Sequence, residues 1–137
     1  MQINIQRVNE NVHFEATGSA GVKINIDGSP AVGGEDAGIR PMELLLMGIG
    51  SCAAIDIVSI LKKQKQVIED FSITVDGTRE EGKEPSPFKT IHMVFKLKGT
   101  LDESKVKRAV ELSVEKYCSV KAMLDKVAEI TFGYELN

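Results

Sequence analysis

Two cysteines, Cys52 and Cys118, are the residues in this chain with the most reactive side chains, and they stand 66 positions apart. That spacing fits neither the CxxC pairs of zinc and dithiol motifs nor the dense cysteine framework of a small secreted domain. If the two act together, folding must bring them together. Cys52 sits in GIGSCAAID, flanked by Gly48, Gly50, Ser51, Ala53 and Ala54. Each glycine inside a helix costs about 1 kcal/mol relative to alanine, so two of them call for close approach by another backbone or by a ligand. Small neighbours also leave room beside the sulfur. Two readings follow from the segment: a small core hydrophobe among helix-packing glycines, or a nucleophilic, peroxidatic thiol in a pocket.

A reactive thiol needs a group that favours its anion. At 100° per residue Gly48, Cys52, Asp56 and Ser59 share one stripe, and Glu43, nine positions before Cys52, falls on the opposite side of a continuous helix. The Asp56 charge works against a thiolate, so a cation must come from elsewhere. Arg40, just before the helix, and Lys121, three residues past Cys118, are the local candidates. Either can equally be a solvated charge or a helix-end partner. His13 and His92 lie on the polar parity of their segments, and the chain has no HxxH, HExxH or Cys/His cluster, so no metal cofactor is expected. GSPAVGGEDAG is rich in glycine but lacks both GxxxxGK[ST] and GxGxxG, which leaves a plain loop as its reading.

The elements that must position these residues are legible in outline. Ile3 and Ile5, then Val12 and Phe14, then Val22, Ile24 and Ile26 alternate with polar residues and are separated by turn-forming NEN and GSAG, which predicts an N-terminal β-meander. Gly28 to Arg40 has four glycines, a proline and no period, and reads as a mobile loop. A long helix follows from Pro41 to about Gln66, with Pro at its start and Lys62, Lys63 and Lys65 at its end. Between Met42 and Leu61, 14 of 20 residues are apolar and they surround the axis, so burial on most sides is expected. Only 12 charge-free residues separate Glu43 from Asp56, short of the roughly 20 of a membrane span.

Phe71, Ile73 and Val75 predict a fourth strand, and Ile91, Met93, Phe95 and Leu97 a fifth, joined by the polar REEGKEPS. Asp102 opens a second helix with Val106, Val110, Val114 and Cys118 on one face, so that Cys118 ends an inward stripe. A helical turn around Val120 to Val127 and a strand holding Ile130, Phe132 and Tyr134 complete an α+β chain, read as one domain over 1–137. A net charge of −3 and 5% aromatic content argue against a nucleic-acid partner. The start, MQINIQRVNE, has no signal-peptide pattern, which points to a cytoplasmic protein without a membrane partner.

The order of these elements, with RPMELLLMGIGSCAAIDIVSILKK on the first helix and KYCSVKAML at the second cysteine, resembles the OsmC/Ohr family of osmotically inducible and organic hydroperoxide resistance proteins. It is most similar to the YhfA-like branch, where a Pro-Met-Glu-Leu-Leu-Leu start and a Cys-x-Ala-Ile-Asp segment occur. The resemblance implies an intertwined homodimer with the central helices back to back and active sites at the subunit interface. It implies a stress-response thiol peroxidase in which the cysteine matching Cys52 attacks a small or fatty-acyl hydroperoxide and the one matching Cys118 closes a disulfide. An external dithiol then restores both thiols. Peroxidase branches carry a glutamate ten positions before the first cysteine, where this chain has Met42, with Glu43 next to it. They also use an arginine in the N-terminal strand region, where Ala16 to Ala20 has none, which leaves Arg40 as the substitute. An alternative within the same family is a non-enzymatic, redox-sensing protein that binds a small apolar ligand between subunits.

Overall fold

The computed structural model describes residues 1–137, which divide into two compact units, Met1–Leu45 and Leu46–Asn137. The first is the expected meander. Strands β1 (Asn4–Arg7), β2 (Phe14–Thr17) and β3 (Lys23–Ile26) pair antiparallel in the order β1-β2-β3. Asn9 builds the first turn by accepting on Oδ1 from the amides of Asn11 and His13, the local competition for backbone donors that makes asparagine a turn residue. Alternation in these strands does not bury an apolar face within the chain, since Ile5 and Ile24 remain exposed.

The glycine-rich segment departs from its expectation as a mobile loop. Asp27, 2% exposed, accepts three backbone hydrogen bonds, from Gly28 on Oδ1 (2.8 Å) and from Glu35 and Ala37 on Oδ2 (3.0 and 3.1 Å). A 3₁₀ turn at Pro30–Val32 lies inside this wrap, and Ile39 bridges back to Ile26. Gly34 and Gly38 are required by the close approach, because a Cβ at either would stand within 3 Å of backbone atoms of Gly28 or Asn25. Composition alone signalled freedom; the buried carboxylate removes it.

Helix α1 (Pro41–Lys63) is continuous and ends three residues earlier than expected, with Lys65 at φ 56 turning the chain out of the helix. The remaining elements form the second unit. Strands β4 (Val67–Arg79) and β5 (Phe88–Thr100) make a long antiparallel hairpin, and β6 (Glu129–Leu136) lies parallel to β5 at the sheet edge. A parallel neighbour requires a crossover, which α2 (Glu103–Leu112) and α3 (Ser119–Leu124) supply. Ile91, Met93, Phe95 and Leu97 point from β5 into the core, as their alternation requires, with Val106, Ala109, Val110 and Val114 buried as well.

Helix α1 is the long central helix that was expected. Within the chain it buries one side, Ile49, Gly50, Ala53, Ile57 and Leu61, and leaves Met47, Ile55 and Val58 exposed. The sheet and the Ser113–Cys118 segment meet α1 on that same side, at Gly50, Ala53 and Ile49. By length and composition α1 could cross a membrane, contrary to the count of charge-free residues. Its packing is that of a core helix: a Cβ on Gly50 would lie 2.9 Å from Val75 Cγ2 on β4, so the helix backbone rests directly on a strand side chain.

A candidate thiol site

Helix α1 presents Cys52 at the border between its buried side and the exposed stripe of Met47, Ser51, Ile55 and Val58, and the thiol is half-buried. The two glycines that flank it have separate reasons. Gly50 lets α1 approach β4, whereas Gly48, on the Cys52 stripe, leaves an opening next to Val120: a Cβ there would stand 3.8 Å from Val120 Cγ1.

Cys118 arrives from the other direction, and not as the end of an α-helical stripe. Asp102 does cap α2, accepting from Lys105 N–H at 3.2 Å, but the α-helix stops at Leu112 and a π turn occupies Ser113–Tyr117. The turn is closed by Cys118 N–H donating to Ser113 C=O at 2.8 Å. Cys118 then serves as the N-cap of α3, its Sγ accepting from Lys121 N–H at 3.4 Å. The thiol, 3% exposed, faces the Ile49 carbonyl of α1 at 3.9 Å.

The two sulfurs are neighbours, and both cysteines are free thiols. Burial pushes the Cys118 pKa from 9.0 up to about 11. The adjacent Cys52 side chain pushes it in the same direction, against the Lys121 and Val120 amides that favour the anion. Cys118 is therefore a protonated, enclosed thiol at neutral pH, with Cys52 the more exposed member of the pair.

The other sequence candidates fall elsewhere. Lys121 reaches the site through its backbone amide, while its ammonium pairs with Asp125 at 3.1 Å. Arg40 belongs to the first unit, where its guanidinium meets Asp36 at 2.5 Å and Glu43 at 3.5 Å. The two carboxylates hold it as an exposed ion-pair cluster. Because α1 is uninterrupted, the nine-residue spacing puts Glu43 on the opposite face from Cys52. His13 and His92 take structural hydrogen bonds, to Asn25 Oδ1 and Thr131 Oγ1. One residue escaped the sequence reading: Ser113, fully buried, donates from Oγ to the Ala53 carbonyl of α1 at 2.7 Å. Its only signal was a hydroxyl beside the apolar stripe, which exposed helical serines share.

Comparison with known proteins identifies the fold and the family. The model of the OsmC-like protein family matches residues 33–133. Protein YhfA of Escherichia coli K12 is 39% identical over 137 residues, covering 99% of this chain and 98% of its own length. A solved structure of a hypothetical protein from Aquifex aeolicus is 34% identical over 99% of this chain and 96% of that one, with a TM-score of 0.81. An organic hydroperoxide resistance protein OsmC from Legionella pneumophila shares the fold at 20% identity, covering 98% and 95% of the two chains with a TM-score of 0.67. With the family model covering most of its length and a full-length relative at 39% identity, the chain belongs to the OsmC-like protein family.

Proposed function

We propose that this protein is a thiol-dependent hydroperoxide reductase that uses Cys52 and Cys118 as a redox pair. The observation that carries the reading is the juxtaposition of a half-exposed free thiol with a buried one. That is the division of labour a two-step reduction needs: one sulfur must meet the substrate and the other must be protected from it. The Cys52 thiolate attacks the terminal oxygen of R–O–OH and the O–O bond breaks. The alcohol ROH leaves with the thiol proton, and Cys52 becomes a sulfenic acid. The Cys118 thiol then condenses with it; the S–S bond forms, water departs, and an external dithiol reduces the disulfide. The similarity to the Legionella organic hydroperoxide resistance protein supports an alkyl or fatty-acyl hydroperoxide as the substrate class.

The resemblance leaves Arg40 as the cation for the first step, and its guanidinium would have to leave Asp36 and Glu43 to serve a thiol. Arg40→Ala should lower the thiol–peroxide rate by roughly 10²-fold, the scale of losing one stabilising group in a transition state. An unchanged rate removes Arg40 and leaves the thiol pair. The working form in this reading is a homodimer. Met47, Ile55 and Val58 make an exposed apolar stripe on α1 beside Cys52, and a second copy of the chain is the occupant that the family resemblance implies. Light scattering should give about twice 15.0 kDa; a stable monomer at micromolar concentration contradicts the dimer. Two free thiols fit the reducing cytoplasm.

A second reading, redox sensing without turnover, draws on one observation: the donor that reaches Cys118 is a neutral backbone amide, Lys121 N–H. Peroxide consumption with a supplied dithiol separates the two. Sustained turnover with an alkyl hydroperoxide supports the reductase, and a single oxidation per subunit followed by arrest supports the sensor.

A further inference from the structure

We infer that Ser113 is a positioning residue for the thiol pair: its hydroxyl pins the π turn to α1 so that Cys118 faces Cys52. The inference rests on the proposed redox pairing and adds a residue to it. In a regular α-helix, residues 113 and 118 would project about 140° apart and could not both face one neighbour. An i→i+5 turn brings the fifth residue back beneath the first, and that is the bond seen from Cys118 N–H to Ser113 C=O. Both ends of the turn then touch α1 one helical turn apart, Ser113 Oγ on Ala53 C=O at 2.7 Å and Cys118 Sγ facing Ile49 C=O at 3.9 Å.

Such a turn is a less favourable helix geometry, and it persists where surrounding contacts hold it. Ser113 makes the shorter of the two contacts and is fully buried. The sulfur contact at the other end is long and weak. Without the hydroxyl, the Ser113–Tyr117 segment is free to rewind as α-helix, turning Cys118 away from its present direction. Ala53 C=O lies inside α1, where helix hydrogen bonding still serves it, so Ser113→Ala leaves no orphaned partner.

The test is the thiol–disulfide equilibrium with glutathione on the full chain, read by mass spectrometry after alkylation of free thiols. In the forward direction Cys52 attacks oxidised glutathione, one glutathione thiol leaves, and Cys118 displaces the second, so two protein thiols and one GSSG give one protein disulfide and two GSH. Ser113→Ala should lower the equilibrium constant for the intrachain disulfide roughly three- to tenfold, the worth of one buried hydrogen bond. Val106→Ala, a fully buried cavity in α2 away from the turn, should lower the melting temperature and leave the constant unchanged. Ser113→Thr, which keeps the hydroxyl, should hold the constant near the parent value even where its extra methyl lowers stability.

An unchanged constant in Ser113→Ala overturns the inference. So do equal losses in Ser113→Ala and Val106→Ala, a Thr variant as impaired as the Ala one, or a parent protein that forms no intrachain disulfide with glutathione. A parent that forms the disulfide with glutathione yet consumes no hydroperoxide refutes the reductase reading and leaves the role of Ser113 standing.

Discussion

Asp27 and Cys118 are both buried acids, and their surroundings drive them in opposite directions. Asp27, in the N-terminal unit, suffers desolvation, but three backbone amides aimed at its two oxygens outweigh it and hold the carboxyl below its usual range. Cys118, in the C-terminal unit, meets the Lys121 and Val120 amides too, yet burial and the adjacent Cys52 prevail and keep it protonated. Depth alone does not set the direction of the shift; what faces the group does, three amides on Asp27 against two amides and a second thiol on Cys118. One unit uses its buried acid as a fixed charge around which a loop is ordered. The other keeps a neutral thiol in reserve beside a more exposed one.

The largest effects separate the two thiols. Cys52→Ser should abolish dithiol-dependent hydroperoxide consumption, while Cys118→Ser should permit one oxidation per subunit, leaving a sulfenic acid that a 1,3-dione probe labels at Cys52 in mass spectrometry. Full turnover in Cys52→Ser would remove the enzyme reading.

Next come the glycines beside Cys52. Gly50→Ala drives a methyl to 2.9 Å from Val75 Cγ2, a branched side chain with little rotameric freedom, and should cost about 1–3 kcal/mol in denaturant unfolding. Gly48→Ala meets Val120 only at 3.8 Å and should stabilise by about 0.5–1 kcal/mol through helix propensity. Equal effects would mean that α1 does not approach β4 as described.

A smaller effect tests the opposed ionisations themselves. A depressed pKa makes the Asp27 contribution complete above its ordinary value of 3.8 and progressively lost as pH falls through the folded value. Hydrogen exchange, corrected for intrinsic rates, should show the Gly28, Glu35 and Ala37 amides losing protection in acid, and Asp27→Asn should reproduce part of that loss at neutral pH. A raised pKa does the reverse. The Cys118 contribution is complete below 9.0 and is lost as pH rises toward about 11, so the melting temperature should fall less steeply over that window in Cys118→Ser than in the parent.

Smallest is Lys121→Ala. Its amide, not its ammonium, touches Cys118, and its ion pair with Asp125 is partly exposed, so stability should change by less than about 1 kcal/mol and the hydroperoxide rate by less than twofold.

Much of this architecture is legible in the residues. Alternation located the meander and the long hairpin, Pro41 and the lysines bounded α1, and the two cysteine motifs pointed to the family. Three features were not legible, each for a physical reason. The Asp27 wrap depends on amides eight and ten positions away, beyond any local pattern. The π turn breaks a four-residue repeat that reads as continuous through Cys118, because the buried valines satisfy both geometries up to Val114. Parallel pairing of β6 with β5 is set by the path of the crossover, not by the strand itself.

The central claim, that Cys52 and Cys118 are one redox unit, is tested most directly by peptide mapping of the folded protein after one equivalent of an alkyl hydroperoxide. The account predicts a single intrachain Cys52–Cys118 disulfide with loss of both alkylatable thiols. Two thiols that both remain alkylatable, or links formed only between subunits, would contradict it.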